Sequence, residues 1–142
     1  MGTRRKSREA ALQFLYQNDF VKVADVGDDL ELADSFHLFC SLYQVNKKAR
    51  PYALGLIQGV LTEIEKIDEM IGSAGSHWRL SRIAPTDRNL LRIAVFEMTQ
   101  MEDVPPEVAI NEAVEIAKRF AGEESPRFIN GVLDAVRSNL SQ

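Results

Sequence analysis

Cysteine is nearly absent from this sequence, since Cys40 is the single one among 142 residues. One thiol cannot form an internal disulfide, and so low a cysteine content is typical of the reducing cytoplasm. Long apolar runs are also missing, because no stretch approaches the roughly 20 residues that span a membrane. The N-terminus lacks the apolar segment of a signal peptide. We therefore expect a cytoplasmic protein without a membrane partner.

The motifs of the common enzyme classes are missing as well. The sequence contains no glycine-rich phosphate loop, no paired CxxC and no serine elbow. His37 and Cys40 lie three residues apart on a predicted helix, a spacing that can share a metal ion. Only His77 is left to complete such a site, and the pair falls on a predicted apolar stripe, which favours core packing. We expect a protein that is not an enzyme, with no catalytic residue, metal or cofactor.

The sequence does contain a series of helix-favouring segments. Hydrophobic residues make up 45% of the chain, enough for a core, and the length favours a single domain over residues 1–142. No segment alternates like a β-strand over a useful length. We predict an all-α fold, a compact bundle of about six to seven helices. The predicted helices begin near residues 3, 29, 51, 86, 106 and 126, with a connection over residues 20–28.

Some local details of these helices can also be predicted. The third helix is expected to run without a break to residue 70 or 71. Glu97 projects into the apolar arc of the helix that begins near residue 86, and a buried carboxylate needs hydrogen bonds or a cation. Ser125 is the predicted N-cap of the last helix, with Pro126 at its first position. The second helix is expected to bury one stripe, formed by Leu30, Ala33, Phe36, His37 and Cys40.

Positive charge is concentrated at one end of this acidic sequence. The basic tip consists of four cations, Arg4, Arg5, Lys6 and Arg8. The net charge of the chain is −4, so residues 9–142 sum to −8. The cations run directly into a predicted helix, which would give them a fixed platform suited to nucleic-acid phosphates. A disordered tail that aids solubility is the alternative interpretation.

A second candidate contact lies at the start of the last predicted helix. Phe128 and Arg127 place an aromatic ring beside a cation and the free N–H groups of a helix N-terminus. This combination can stack a splayed base and hold a phosphate. Packing of Phe128 in the core is the alternative interpretation.

Three segments, in the same order, resemble the NusB family of bacterial transcription antitermination factors. They are RRKSREAALQFLYQ near the start, WRLSRIAPTDRNLLRIAVFEM in the middle, and VPPEVAINEAVEIAKRF with SPRFINGVLDAV near the end. Together they cover most of the chain, although residues 20–50 match only loosely. The resemblance implies a fold of two packed helical subdomains.

The resemblance also implies a function and a set of partners. Members of the family pair with the small-subunit ribosomal protein that doubles as NusE, and the pair binds the single-stranded boxA element of nascent RNA. It joins NusA, NusG and RNA polymerase and favours full-length ribosomal RNA transcription. At matching positions, the resemblance assigns RNA binding to the basic tip and Phe128, and it places Tyr16 and Asp87 on the side of NusE. Pro126 stands where some relatives have a histidine, and the tip carries fewer cations than some relatives have.

Two other functions stay open. NusB-like domains also occur as RNA-recognition modules fused to ribosomal RNA cytosine methyltransferases. Such an enzyme needs a further Rossmann-like domain with its glycine loop, and this sequence ends at Gln142 without one. A helical module that binds only proteins would use the arginines as solubility charge. Loss of RNA binding after replacement of the basic tip by alanine would discriminate against that module.

Overall fold

The computed structural model describes residues 2–20, 29–74 and 79–141. Within these ranges the chain forms α-helices and two 3-10 turns but no β-strand, which confirms the all-α prediction. The helices are α1 (Thr3–Phe20), α2 (Asp29–Tyr43), α3 (Arg50–Thr62), α4 (Ile64–Ala74), α5 (Pro85–Gln100), α6 (Pro106–Phe120) and α7 (Ser125–Leu140). The 3-10 turns are Lys47–Ala49 and Leu80–Arg82. Residues 21–28 of the predicted connection, and His77, lie outside the described residues.

The chain divides into two compact units, Met1–Thr62 and Glu63–Gln142. In the first unit, α3 packs against α1 and α2. In the second unit, α5, α6 and α7 pack against one another, and α4 packs against α5 and α7. The single domain over residues 1–142 stays a prediction. No helix in the described ranges combines the length and the apolar character needed to cross a bilayer.

Three aromatic rings pack together in the core of the first unit. The ring of Phe14 on α1 meets Phe36 and Phe39 of α2 edge-on, with centroid distances of 5.6 and 5.5 Å. The predicted stripe of α2 was wrong at Leu30 and His37, which are exposed. The contact with Phe14 sets the rotation of α2, because it requires both phenylalanines to point inward. The buried residues of α2 are Leu32, Phe36, Phe39 and Cys40.

This rotation buries Cys40 and leaves His37 exposed. Cys40 is fully buried, and burial raises the pKa of its thiol. His37 points away from the core and is exposed. The described part of the chain holds no cluster of three or more metal-ligating side chains.

The predicted long third helix is two helices. α3 ends at Thr62 and α4 begins at Ile64, with Glu63 as a turn between them. The turn marks the boundary between the two units, and each helix packs within its own unit. The prediction was wrong because the helical spacing of apolar residues continues on both sides of Glu63. The helices that they pack against differ, since α3 packs against α1 and α2 and α4 packs against α5 and α7.

Helix α5 is buried on most of its circumference, as predicted. Its buried residues include four that are charged or polar, Asp87, Asn89, Arg92 and Glu97. Arg92 donates hydrogen bonds from Nε and Nη2 to the two carboxylate oxygens of Asp68 on α4, at 2.8 and 3.0 Å. Glu97 is 1% exposed and is not left without an interaction partner, in agreement with the sequence prediction.

Candidate nucleic-acid interface

The basic tip forms the first two turns of α1 rather than a tail that precedes it. All four cations are helical, and the first turn contains no acid. Ser7, buried between them, donates a hydrogen bond from Oγ to the carbonyl oxygen of Ala49 at 2.7 Å. Since Ala49 ends the 3-10 turn before α3, this bond ties the start of α1 to the neighbouring helix. The basic tip therefore has the fixed platform that the sequence predicts.

The ring of Tyr52 on α3 faces two cations of the basic tip. The guanidinium carbon Cζ of Arg4 lies 4.4 Å from the ring centroid, and that of Arg8 lies 5.9 Å away. A cation within about 6 Å of an aromatic face is attracted by the ring quadrupole. Sequence reasoning missed Tyr52, because this contact joins distant parts of the chain and no local motif marks it.

The four cations of the basic tip differ in exposure. Arg4 and Lys6 are exposed and Arg5 is partly buried, whereas Arg8 is only 5% exposed. A guanidinium held that deeply is suited to fixing the start of α1. The accessible positive charge of the basic tip therefore comes from Arg4, Lys6 and, in part, Arg5.

Tyr16 lies on a different face of α1 and is 40% exposed. Its ring packs against that of Phe20 with a centroid distance of 5.0 Å, and Phe20 is itself exposed. Gln17, between them in sequence, donates a hydrogen bond from Nε2 to the hydroxyl of Tyr43 on α2 at 2.9 Å. We call Tyr16, Phe20 and Tyr43 the aromatic patch. Exposed rings of this kind are typical of protein-binding surfaces.

A cavity of about 540 Å³ opens beside the N-termini of α5 and α7 in the second unit. We call it the arginine pocket, because Arg79, Arg82 and Arg127 line it and are exposed. The lining also includes Glu124, which is exposed, and Phe128, which is half-buried. The structure thus joins Arg127 and Phe128, both predicted to bind RNA, with two arginines that sequence reasoning did not single out.

Asp87 lines the same pocket and is 9% exposed. The hydroxyl of Ser125 donates a hydrogen bond to its Oδ2 at 3.0 Å. Its Oδ1 has no hydrogen-bond partner among the residues that the structure describes. Burial raises the pKa of the Asp87 carboxyl, and the bond from Ser125 offsets part of that effect.

The predicted N-cap role of Ser125 was wrong. Glu124 is the N-cap residue of α7, and Ser125 is the first helical residue, followed by Pro126. The hydroxyl of Ser125 donates its hydrogen bond to the carboxylate of Asp87 and does not cap the backbone of its own helix. A charged carboxylate oxygen makes stronger hydrogen bonds than a neutral group. The hydrogen bond from Ser125 to Asp87 is therefore favoured over one between the Ser125 side chain and the helix backbone.

Comparisons with known proteins agree with this architecture. The family model described as NusB family matches residues 5–138. The transcription antitermination protein NusB of Desulfotalea psychrophila (strain LSv54 / DSM 12343) is 62% identical over 139 residues, which are 97% of each chain. The structure of T. maritima NusB is similar with a TM-score of 0.81 at 34% identity, over 95% of this chain and 90% of that one. A structure of the antitermination factors NusB and NusE in complex with dsRNA has a TM-score of 0.81 at 27% identity, over 96% and 97% of the two chains.

Proposed function

The chain belongs to the NusB family, and we propose that it acts as a transcription antitermination factor that binds boxA-type single-stranded RNA together with the ribosomal protein NusE. The observation that carries the RNA-binding part is the basic tip. Its cations are built into a helix that Ser7 and Tyr52 hold in place. Positive charge fixed on a platform binds phosphates with less loss of side-chain freedom than a mobile tail.

The arginine pocket supports the same function independently. Its three arginines outnumber the exposed acid Glu124, although the chain as a whole carries a net charge of −4. Positive charge beside the half-buried ring of Phe128 suits a phosphate and a stacked base. We assign RNA contacts to Arg4, Arg5 and Lys6 in the first unit and to Arg127 and Phe128 in the second, with Arg8 as a cation that supports the basic tip.

We assign the NusE contact to the aromatic patch around Tyr16, because exposed rings can be shared with another protein. The family resemblance also places Asp87 on the side of NusE, and that contact stays a prediction. NusA, NusG and RNA polymerase complete the proposed assembly, which acts on nascent RNA in the cytoplasm. The proposed role is one of recognition, without enzymatic activity.

The proposed function is tested by an electrophoretic mobility shift with purified protein. The probes are boxA-type RNA as a single strand, the same RNA as a duplex, and a scrambled single strand of equal composition, each with and without NusE. We expect NusE to raise the affinity for single-stranded boxA-type RNA more than for either control. Equal affinities for boxA-type and scrambled RNA in the presence of NusE would refute the proposal.

The contribution of the basic tip is tested with two variants of equal charge. One replaces Arg4, Arg5 and Lys6 with Ala, and the other replaces three exposed cations elsewhere, Lys66, Lys118 and Arg137. Surface ion pairs such as those of Lys118 and Arg137 contribute little to stability, so the control variant should fold normally. We expect the first variant to lose far more RNA affinity than the second.

A further inference from the structure

We propose that Lys47 and Lys48 form a second phosphate-binding site for single-stranded RNA, beside the basic tip and on the side of the aromatic patch. The inference rests on the proposed RNA-binding function and extends it to two residues that sequence reasoning did not single out. The two lysines bind the backbone of the strand between the basic tip and NusE. Contacts with phosphates add affinity and position the strand, without reading its bases.

The 3-10 turn that carries both lysines is attached to the start of α1. Its last residue, Ala49, accepts the 2.7 Å hydrogen bond from Oγ of Ser7. Ser7 lies between Lys6 and Arg8 of the basic tip, and Lys47 and Lys48 directly precede Ala49. The fold therefore brings the two lysines next to cations that are about 40 residues away in sequence.

Two side chains hold the backbone of this turn. Asn46 is its N-cap residue, and Oδ1 of Asn46 accepts a hydrogen bond from the backbone N–H of Lys48 at 2.9 Å. The guanidinium of Arg50 donates hydrogen bonds from Nε and Nη2 to the carbonyl oxygen of Val45, at 3.0 and 2.9 Å. A backbone that is already ordered loses less freedom when a ligand binds. The lysines are thus carried by a fixed turn, as the cations of the basic tip are carried by a helix.

The turn also lies on the path from the aromatic patch to the basic tip. Tyr43 of the aromatic patch is hydrogen-bonded to Gln17, near the end of α1. Ala49 is hydrogen-bonded to Ser7, near the start of the same helix and about 15 Å from Gln17 along its axis. Residues 44–48 connect these two places. An RNA strand that contacts both NusE and the basic tip therefore has a direct route across the lysines.

The charges of this region favour a phosphate as the ligand. Lys47 and Lys48 are exposed, and neither forms an ion pair with another residue that the structure describes. The exposed Lys118, by contrast, pairs with Glu115 at 2.8 Å. The sequence contains no acid from residue 35 to residue 62, although the net charge of the chain is −4. Like charges would repel a basic ribosomal protein here, which favours RNA over NusE as the ligand.

The experiment compares two double variants that remove the same charge. Lys47→Ala with Lys48→Ala removes the proposed site, whereas Lys66→Ala with Lys118→Ala removes two exposed lysines of the second unit. Fluorescence anisotropy measures the binding of labelled single-stranded RNA, about twelve nucleotides long, at several salt concentrations. Two phosphate contacts account for a log–log slope of roughly 1.4, so the first variant should lose this slope and at least about tenfold in affinity near 0.1 M salt. The second variant should lose little of either.

Two further variants test charge and independence. Lys47→Arg with Lys48→Arg keeps both charges and should bind RNA with the slope of wild type. Removal of both lysines together with Arg4, Arg5 and Lys6 should lower the slope by roughly 3.5, because the two sites contact different phosphates. Circular dichroism should show an unchanged helix content in every variant, since the replaced lysines are exposed.

Several results would overturn the inference. Equal slopes for wild type and the variant without Lys47 and Lys48 would do so, as would an equal loss in the variant without Lys66 and Lys118. If the first variant weakens NusE binding and leaves the binding of RNA alone unchanged, the lysines contact the protein partner instead. In each of these cases wild-type protein still binds boxA-type RNA with NusE. Absence of that binding would refute the proposed function and this inference with it.

Discussion

Arg4 and Tyr52 form a cation–π pair that joins the first turn of α1 to the first turn of α3, with Cζ 4.4 Å from the ring centroid. The pair restricts the side chain of an arginine that lies at a helix end. Binding a phosphate then costs less side-chain entropy, because part of the ordering has already taken place. Tyr52 is therefore a positioning residue for the basic tip.

Removal of the ring of Tyr52 should weaken RNA binding. We expect Tyr52→Leu to lower the affinity for single-stranded RNA about two- to fivefold, the range of one exposed cation–π contact. Tyr52→Phe keeps the aromatic face and should bind like wild type. Mobility shifts with all three proteins measure this effect. Equal affinities of the Leu and Phe variants would mean that the ring has no part in RNA binding.

The salt dependence of RNA binding should report on the accessible cations. Each phosphate contact with a single strand contributes a log–log slope of about 0.7. Replacement of Arg4, Arg5 and Lys6 with Ala should therefore reduce the slope by roughly 2 and leave the helix content unchanged. Titrations at several salt concentrations measure the slope, and circular dichroism measures the helix content. A slope that stays the same would place the phosphate contacts elsewhere.

Arg8 should behave differently from its neighbours in the basic tip. Its side chain is 5% exposed and lies near Tyr52, so Arg8→Ala removes buried packing. We expect a loss of about 1–3 kcal/mol in the free energy of unfolding, with little change in the salt slope. Lys6→Ala, at an exposed position, should show the reverse pattern. Urea unfolding of both variants checks the stability, and a fully stable Arg8→Ala protein would contradict the expectation.

Local periodicity was sufficient to predict most of the helices. α5 and α7 begin within about one residue of the predicted starts, because Pro85 and Pro126 mark their first turns. The rotation of α2 depends on the distant ring of Phe14, which no pattern within α2 reports. The turn at Glu63 escaped prediction because packing ends a helix there, without glycine or proline.

In the candidate site too, local features could be predicted from the sequence and contacts between distant residues could not. The cations of the basic tip and the neighbours Arg127 and Phe128 are adjacent in sequence, so charge and position were enough to select them. The contact of Tyr52 with Arg4 spans two helices. The hydrogen bond between Asp87 and Ser125 joins α5 to α7. Sequence spacing carries no information on contacts of this kind, so only the folded chain reveals the arginine pocket.

The buried carboxyl of Asp87 should make stability depend on pH. Its pKa in the folded protein lies above the ordinary value of 3.8, mainly because burial disfavours the charge. Below the ordinary pKa the carboxyl is protonated in both folded and unfolded chains, and no charge penalty arises. As pH rises through the folded pKa, the folded state must carry a buried carboxylate and loses stability.

Asp87→Asn removes this penalty. We expect the variant to gain thermal stability relative to wild type at neutral pH, and the gain to shrink as the pH falls towards about 4. Thermal melts over this range measure the difference, with Asp34→Asn as the exposed control. A stability difference that grows on acidification would contradict the expected direction of the pKa shift.

Tyr16 should couple the binding of NusE to the binding of RNA. Outside the basic tip, residues 9–142 carry a net charge of −8, which repels phosphate. A basic ribosomal protein bound to the chain would neutralise part of this charge and extend the surface along which RNA lies. The two ligands should then favour each other by about 1–3 kcal/mol.

Tyr16→Asp places a charge in the aromatic patch beside Phe20 and should disrupt NusE binding. The fold should persist, because Tyr16 is 40% exposed and lies outside the core. RNA affinity should therefore fall more in the mixture with NusE than for the protein alone. Gln13→Asp, at an exposed position of the same helix, matches the change in charge. Titration of one labelled RNA into each protein, with and without NusE, gives the coupling directly. If one fixed concentration of NusE raises RNA affinity equally for wild type and Tyr16→Asp, Tyr16 has no part in the coupling and the interface lies elsewhere on the chain.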